Sequence, residues 1–158
     1  MAIKVGLGID FHRLERGRKL VLGGVTIDHP LGLKGHSDAD VIIHALSDAI
    51  LGGAGLGDIG RYFPASPEYK GISSLEILKK VKAMLSRETD IVHIDITFLG
   101  EEPRIAPWVE RMKDNMARVL GIGGEKINIK ATTTEGLGMI GEKKGLACQA
   151  VVTLEVKE

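Results

Sequence analysis

Residues 36–44 read His36-Ser37-Asp38-Ala39-Asp40-Val41-Ile42-Ile43-His44, and the rest of the chain is organised around this stretch. Its polar first half suits a loop that enters a helix, because Ser37 is a plausible N-cap and Asp40, three residues on, can complete a capping box. Apolar residues then recur at the spacing of a helix that buries one face. We therefore predict a helix over residues 38–51, with a buried face formed by Val41, Ile42, Ala45, Leu46, Ala49 and Ile50.

Both histidines of this stretch are candidate site residues. His44 falls on one helical stripe with Asp40 and with Ser47 or Asp48, so it is either a metal ligand or an ordinary core histidine. His36 lies just before the predicted helix start, where free backbone N–H groups attract anions, or it is an exposed loop residue without a role. Ligands elsewhere in the chain have to decide between these alternatives.

Composition excludes several functional classes. The 158 residues suit a single domain, residues 1–158, and 21 basic against 21 acidic residues give a formal charge of zero. Nucleic acids and anionic membranes attract basic patches, so neither is an expected partner. The single cysteine, Cys148, cannot form an intrachain disulfide and lies in an apolar pattern, and no apolar run approaches the ~18 residues of a membrane span. We therefore expect a soluble, cytoplasmic protein with a buried cysteine.

Before the central stretch, residues 3–12 alternate as a strand in which Asp10 and His12 point to the same face. A carboxylate and an imidazole at this spacing can reach one metal ion, although an isolated pair of this kind is usually an ordinary polar face. Residues 19–22 and 25–27, joined by Gly23-Gly24, predict a β-hairpin.

After the central stretch, the patterns predict two helices, over residues 73–87 and 107–120, and three strands, over residues 91–99, 127–131 and 146–156. Helices interleaved with strands favour an α/β (α+β) sandwich. We expect mainly a four-stranded sheet with helices packed on one face, plus the small hairpin.

Two short motifs near the last strand suggest different chemistry. Residues 136–141 spell G-x-G-x-x-G, but a strand follows where a dinucleotide site needs a helix, so we reject a nicotinamide or flavin site. Residues 132–135 place three threonines and Glu135 at a strand end. They either hold a phosphate and a hard cation such as Mg²⁺ or form an ordinary turn.

Four motifs, taken together and in this order, resemble the 2-C-methyl-D-erythritol 2,4-cyclodiphosphate synthase family of the non-mevalonate isoprenoid pathway. They are residues 8–12 (Gly-Ile-Asp-Phe-His), residues 36–40 with His44, residues 57–60 (Gly-Asp-Ile-Gly), and residues 130–135 (Lys-Ala-Thr-Thr-Thr-Glu) followed by Gly138. Each motif alone is weak, but the resemblance covers essentially the whole chain. It implies a homotrimer of α/β subunits with active sites at the subunit interfaces.

The resemblance also implies a reaction and its cofactors. In this family the 2-phosphate of 4-diphosphocytidyl-2-C-methyl-D-erythritol 2-phosphate attacks the β-phosphorus of the same molecule, which closes a cyclic diphosphate and expels CMP. One Zn²⁺ per subunit would be held by Asp10, His12 and His44, and a Mg²⁺ or Mn²⁺ ion by Glu135. His36 and Thr133 would be the catalytic residues that position phosphates and stabilise the transition state.

The resemblance assigns the other substrate-binding residues to three groups. The methylerythritol hydroxyls would be held by Asp58, Ile59 and Gly60, with a flexible loop over them formed by Phe63, Pro64, Ala65, Ser66 and Pro67. Cytosine would be bound by Gly100, Glu101, Glu102, Pro103, Arg104, Ile105 and Ala106, together with Ala131. The remaining substrate contacts would be Asp10, His12, His36, Ser37, Thr132, Thr133, Thr134, Glu135, Met139 and Glu142.

Three positions depart from the family pattern. Glu142 and Gln149 stand where an arginine and an acid hold an isoprenoid diphosphate in the central cavity of the trimer, and Met139 stands where phenylalanine is common. A central isoprenoid ligand is therefore not expected in this chain.

Two further questions stay open at this point. Asp40, one helical turn before His44, is a candidate to orient the His44 ring, with Asp38 and Asp48 as competitors. The alternative functions are a zinc-dependent hydrolase, in which the same three ligands activate water, and a non-enzymatic oligomeric module that binds a nucleotide.

Overall fold

The computed structural model describes all 158 residues, Met1–Glu158. The strands are β1 (Ala2–Arg16), β2 (Leu20–Leu22), β3 (Val25–Ile27), β4 (Leu31–Leu33), β5 (Thr89–Leu99), β6 (Ile127–Thr132) and β7 (Gly145–Val156). The α-helices are α1 (Val41–Ala54), α2 (Ile59–Tyr62), α3 (Ser74–Met84), α4 (Val109–Leu120) and α5 (Gly138–Gly141). Short 3₁₀ helices lie at Pro67–Tyr69, Ala106–Trp108 and Gly124–Lys126.

A five-stranded sheet carries the fold, in the order β4-β1-β7-β5-β6. β1, β7 and β5 are antiparallel neighbours, β6 runs parallel to β5, and β4 pairs antiparallel with the end of β1. β2 and β3 pair only with each other, as the predicted hairpin. The predicted α/β sandwich is confirmed. Its sheet gains one strand, β4, because three residues carry too little pattern to predict a strand.

The start of α1 differs from the prediction. The helix begins at Val41 because its N-cap is Asp40 and not Ser37. Asp40 has an extended backbone, and its carboxylate accepts a hydrogen bond from the Ile43 N–H at 3.1 Å. Both residue types are good caps, and the tertiary contacts of Asp40 described below decide between them.

Helix ends follow local backbone conformation. α1 runs to Ala54, where Gly55 adopts a left-handed conformation with φ of 73° and closes the helix within the predicted glycine-rich stop. α3 stops at Met84, earlier than predicted, since the next residue is already extended. The glycine motif at residues 136–141 forms the four-residue α5 directly before β7, so the long helix of a dinucleotide-binding unit is not formed there.

Two glycines of β1 bring α1 into direct contact with the sheet. A Cβ atom on Gly6 would lie 1.8 Å from the Ala49 carbonyl oxygen, and one on Gly8 would lie 1.9 Å from the Ala45 carbonyl oxygen. Only hydrogen fits at either position. The same face of β1 continues with Asp10, so the close packing at Gly8 places the residue before Ala45, which is His44, beside that carboxylate.

The hydrophobic core lies between the helices and one face of the sheet. The predicted buried face of α1 is confirmed, since all six of its residues are 0% exposed. Cys148 on β7 is buried as predicted, and burial raises the pKa of its thiol. None of the helices combines the length and the apolar character needed to cross a bilayer.

The opposite face of the sheet is open and apolar along β1. Its outward side chains form an apolar stripe in which each member is between 49% and 63% exposed: Ile3, Val5, Leu7, Ile9 and Phe11. On β5 and β6 the same face is polar, with Lys130 paired to Asp95 at 2.6 Å. A run of alternating exposed apolar residues of this length is unusual on a solvated surface.

Candidate active site

Asp10, His12 and His44, hereafter the triad, meet where β1 passes under α1. Asp10 Oδ2 lies 2.9 Å from His12 Nε2 and 3.2 Å from His44 Nδ1. One potential ligand atom from each residue lies within 4.8 Å of the other two. The three residues come from a strand and a helix whose close packing requires the glycines described above, so the fold of one chain brings the triad together.

The donor atoms of the triad fit a metal ion. Asp10 Oδ2 and His12 Nε2 are buried, and neither makes a hydrogen bond of acceptable geometry despite their short separations. Buried polar atoms without partners are rare in folded proteins, and a shared cation satisfies them. Two imidazole nitrogens and one carboxylate oxygen form a three-ligand set of the kind that catalytic zinc sites use, with a fourth position left for substrate.

Neighbouring groups hold both imidazole rings. His12 Nδ1 lies 2.8 Å from the Lys34 carbonyl oxygen, which fixes the proton on Nδ1 and leaves Nε2 as the electron-pair donor. His44 Nε2 lies 3.1 Å from Ser37 Oγ, and this contact turns Nδ1 of the same ring toward Asp10.

Charge and burial oppose each other within the triad. Desolvation raises the pKa of Asp10, but the adjacent His12 and His44 imidazoles outweigh that effect, so the pKa of the Asp10 carboxyl lies below its usual value. Burial lowers the pKa of His12, and the Asp10 carboxylate outweighs that effect, so the pKa of His12 lies above its usual value. The ionised form of Asp10, which is the form that binds a cation, is therefore favoured.

The triad faces a cavity of about 230 Å³. The structure brings these predicted site residues together around it: Asp10, His12, His36, Ser37, His44, Ile59, Gly60, Phe63 and Ala65. Tyr69, Ile72 and Ile77 also line the cavity and are not among the predicted site residues: the first two lie in a loop without a periodic pattern, and Ile77 lies on α3. The cavity thus joins the metal-ligand set to the segment expected to hold the methylerythritol part.

The other half of the predicted site lies elsewhere in the chain. None of the predicted residues between 100 and 106 or between 131 and 142 lines this cavity. Both halves lie at the same end of the sheet, because His12 pairs with Leu146, Ala147 pairs with Leu99, and Leu99 pairs with Thr132. Three strand spacings separate His12 from Thr132, which is roughly 14 Å. Met139 lines a separate cavity of about 220 Å³ next to Phe11.

His36 is fixed by its surroundings, but not at the start of a helix. Its Nε2 contacts the Ser66 carbonyl oxygen, and its own carbonyl accepts from the Gly71 N–H at 2.8 Å. The prediction that His36 lies just before the helix start is wrong, because α1 begins at Val41 and the Asp40 carboxylate caps its first turn. His36 instead borders the cavity from the loop.

Arg18 is a supporting residue that the sequence analysis missed. Its guanidinium donates to the carbonyl oxygens of Gly35 at 3.1 Å and Ser37 at 2.8 Å, on either side of His36. Nothing in the local sequence around Arg18 indicates these two contacts, which span 17 and 19 residues.

Asp40 does not orient His44, so that hypothesis is wrong. The Asp40 carboxylate accepts from Gly23 N at 3.0 Å, Gly24 N at 2.7 Å and Ser74 Oγ at 2.8 Å, in addition to the cap on α1. All its hydrogen bonds are therefore to the hairpin and to the starts of two helices. Burial, together with the charge of Asp38, raises the pKa of Asp40 to about 6.

The segment after α1 is held by two carboxylates. Asp58 caps α2 by accepting from the Arg61 N–H at 3.1 Å. Asp48 accepts from the Ile59 N–H at 2.8 Å, which ties the proposed hydroxyl-binding segment to α1. The sequence offers Asp48 as a partner of His44, and in the structure its carboxylate instead binds the Ile59 N–H.

The residues after β6 form an exposed turn, hereafter the 132–136 turn. Glu135 is left-handed with φ of 55°, and its N–H donates to Thr133 Oγ1 at 3.2 Å. Glu102 pairs with Lys143 at 2.8 Å, and Glu142 pairs with Lys144 at 2.8 Å. The turn therefore carries Thr133 and Glu135, joined through the Glu135 backbone contact, at the strand end.

Comparison with known proteins agrees with the motifs. The profile of the YgbB family matches residues 3–155. A protein of Alkaliphilus metalliredigens named 2-C-methyl-D-erythritol 2,4-cyclodiphosphate synthase is 53% identical over 154 residues, which cover 96% of this chain and 97% of that protein. The bifunctional enzyme IspD/IspF of Desulforudis audaxviator is 51% identical over 154 residues, and the chain spans 39% of its length. These names do not support the hydrolase or the binding module.

Solved structures give the same result. The bifunctional IspDF of Campylobacter jejuni has a TM-score of 0.94 and 40% identity, with 99% of this chain matched to 43% of that one. IspF of Plasmodium falciparum, solved as a CDP complex, has a TM-score of 0.87 and 34% identity, with 99% of this chain matched to 98% of that one. Because the family profile and these relatives span nearly the whole sequence, the chain belongs to the YgbB family, the family of the 2-C-methyl-D-erythritol 2,4-cyclodiphosphate synthases.

Proposed function

We propose that this chain converts 4-diphosphocytidyl-2-C-methyl-D-erythritol 2-phosphate into 2-C-methyl-D-erythritol 2,4-cyclodiphosphate and CMP. The observation that carries the proposal is the triad, with two half-buried residues and one buried residue, beside a cavity in a chain whose relatives bear the name of this synthase. The reaction closes the cyclodiphosphate in the non-mevalonate isoprenoid pathway.

The chemistry needs no protein nucleophile. An oxygen of the 2-phosphate forms a new bond to the β-phosphorus, and the bond from that phosphorus to the α–β bridging oxygen breaks, so CMP leaves with the bridging oxygen. Phosphoryl transfer of this kind depends mainly on positioning and on neutralising charge. A chain of zero formal charge supplies this through local groups and bound cations.

The triad would hold Zn²⁺, and Glu135 would hold Mg²⁺ or Mn²⁺. Bound cations at these places would withdraw charge from the phosphates during transfer. His36, whose Nε2 contacts the Ser66 carbonyl and whose two neighbours are held by Arg18, would help to position the phosphates at the cavity edge. The Thr133 hydroxyl, next to Glu135, would position the diphosphate from the other half of the site.

The two ends of the substrate would bind to different segments. Four residues of the segments 58–60 and 63–67 line the triad cavity, namely Ile59, Gly60, Phe63 and Ala65, and these segments would hold the small polyol. Residues 100–106, with Ala131 on the neighbouring strand, would bind cytosine, in keeping with the CDP in the Plasmodium falciparum complex. The substrate has to reach both places at once.

Assembly as a homotrimer would join the two halves. The separation of roughly 14 Å between His12 and Thr132 within one chain leaves each half of the site without its counterpart nearby. The apolar stripe on β1 gives a second copy a surface to bury, and that burial is favourable. We infer that the cavity of one subunit faces the 132–136 turn and residues 100–106 of the next.

CMP release, followed with phosphorus NMR of the second product, tests the reaction. With Zn²⁺ and Mg²⁺ present, the parent chain should form one equivalent of cyclic diphosphate per CMP. The His44→Ala variant should lose bound zinc and turnover together. Intact substrate beside folded, metal-loaded parent protein would contradict the proposal, and a linear phosphate product would show a hydrolase instead.

A further inference from the structure

The carboxylate of Glu101 makes contacts that its expected place in a cytosine pocket does not explain. Its Oε1 accepts from the Thr134 N–H at 3.2 Å and from the Gly136 N–H at 3.1 Å. The Thr134 hydroxyl is 3.4 Å away, but its proton is engaged by the Leu137 carbonyl oxygen at 2.7 Å. One oxygen of Glu101 thus holds two backbone N–H groups of the 132–136 turn.

These two N–H groups flank Glu135, the proposed ligand of the second cation. Glu135 and Gly136 are both left-handed, with φ of 55° and 76°. Glycine adopts this conformation without penalty, whereas a glutamate is held there only when surrounding contacts favour it. The shared acceptor on Glu101 supplies such a contact on each side of Glu135.

The backbone next to Glu101 is held by a hydrogen bond between the ends of β5 and β6. The Gly100 N–H donates to the Thr132 carbonyl oxygen at 3.1 Å, which continues the parallel pairing of β5 and β6 by one more bond. The side chain of the next residue therefore reaches the turn from the adjacent, paired backbone. Within the same turn, the Glu135 N–H donates to Thr133 Oγ1 at 3.2 Å.

We propose that Glu101 is a positioning residue that fixes the geometry of Thr133 and Glu135 through the backbone of the 132–136 turn. The proposal rests on the proposed function for the roles of those two residues. Glu101 acts as a hydrogen-bond acceptor for two N–H groups, so a neutral side chain of the same shape can replace it. It also couples the segment for the cytidine end to the segment for the phosphates.

Two substitutions of Glu101 separate this role from others. Glu101→Ala removes the acceptor, whereas Glu101→Gln keeps an amide oxygen in its place and removes the charge. Glu110→Gln is the matched control, since Glu110 is an exposed carboxylate in the first turn of α4 and only contacts Lys113 at 3.8 Å. Glu135→Gln serves as the reference for loss of the cation ligand itself.

Three measurements are made on each purified full-length protein. The first is amide hydrogen exchange at Thr134 and Gly136 by NMR without substrate. The second is the Mg²⁺ concentration that gives half-maximal turnover, together with kcat and KM. The third is bound zinc, which reports whether the triad is intact.

The expected result distinguishes positioning from general loss of structure. Glu101→Ala should exchange both amides faster and need about 10-fold more Mg²⁺, as when a hydrogen-bond partner of a metal ligand is removed. Its kcat should fall more than its KM rises, with zinc unchanged. Glu101→Gln should stay within about threefold of the parent for Mg²⁺, as expected when the hydrogen bonds are retained.

Unchanged exchange at both amides in Glu101→Ala would overturn the inference, as would a Glu101→Gln variant as impaired as Glu101→Ala. Failure of the proposed function looks different. In that case the parent makes no cyclic product, or Glu135→Gln keeps the Mg²⁺ dependence of the parent, while the exchange data still decide whether Glu101 holds the turn.

Discussion

The triad and the 132–136 turn are the two halves of the proposed site, and they are built in opposite ways. The triad lies between a strand and a helix that touch at two glycines, and its rings are held by Lys34 and Ser37. The turn is exposed beyond the end of β6, contains a left-handed glutamate, and depends on one carboxylate for its shape. One chain therefore brings the triad together alone, whereas the turn is shaped by local contacts and, in the proposed assembly, would face the triad of a neighbouring copy.

Gly8→Ala should have the largest effect, because it disrupts the packing of β1 against α1 that forms the triad. The new methyl group would have to lie 1.9 Å from the Ala45 carbonyl oxygen, so α1 must move away from β1. We expect a loss of about 3 kcal/mol in the free energy of unfolding, the upper range for overpacking, together with loss of bound zinc. Urea unfolding and metal analysis measure both quantities.

Gly124→Ala is the control for that substitution, since nothing lies within 4 Å of a Cβ atom there. Its free energy of unfolding should stay within about 0.5 kcal/mol of the parent value. A Gly8→Ala protein as stable and as rich in zinc as this control would show that α1 does not set the triad.

Leu7→Lys should prevent the subunits from assembling, and so separate the triad of one copy from the 132–136 turn of another, without damaging either. Leu7 lies in the middle of the apolar stripe and is 54% exposed, so a lysine there leaves the isolated subunit intact but opposes burial by a second copy. Sedimentation should show a smaller species that keeps its zinc and lacks turnover. Glu88→Lys, on an exposed residue away from the stripe, should remain assembled and active.

Full activity in a Leu7→Lys subunit that sediments as a monomer would contradict the division of the site between copies. Full activity in an assembled Leu7→Lys protein would place the contact elsewhere on the surface.

Ser37→Ala should have a moderate effect on the triad, and it also removes the acceptor of the Ala39 N–H at 3.1 Å. It removes the hydroxyl that lies 3.1 Å from His44 Nε2, so the ring loses the contact that turns Nδ1 toward Asp10. Zinc affinity, measured by competition with a chelator, should fall about 10-fold. Ser86→Ala, which removes a hydroxyl that pairs with Thr89, should leave zinc affinity unchanged. Equal affinities in the two variants would remove Ser37 from this role.

The smallest expected effect is at Cys148, whose thiol should not react with a maleimide in the folded protein. Its thiol is buried on β7 beneath the helices, and burial raises its pKa, so hardly any thiolate is present near neutral pH. A maleimide should leave the native protein unlabelled and react with one equivalent after unfolding in guanidinium chloride. Rapid labelling of the native protein would show that the layer supporting the triad opens readily.

The spacing of residues close together in sequence was enough to predict one strand face and one helix face of the site. The two-residue spacing of Asp10 and His12 placed both on one strand face, and the buried face of α1 followed from its apolar spacing. The family resemblance then linked His44 to them, and the structure brings the three together. That the triad of one subunit faces the 132–136 turn of another is implied only by that resemblance.

Contacts between distant segments could not be predicted. Asp40 reaches Ser74 across 34 residues, and Glu101 reaches Thr134 across 33. A carboxylate in a loop has many possible partners, and only the packed fold selects one of them. For the same reason Ser37 could not be told from Asp40 as the cap of α1.

The buried carboxylate of Asp40 has a consequence for how the molecule comes apart. It joins the turn of the hairpin, the first turn of α1 and the first turn of α3, three segments that are separate in sequence. Opening any one of them leaves a buried acceptor without its donor, which is costly. These three segments should therefore open as one cooperative unit, and the loop that carries His36 opens with them.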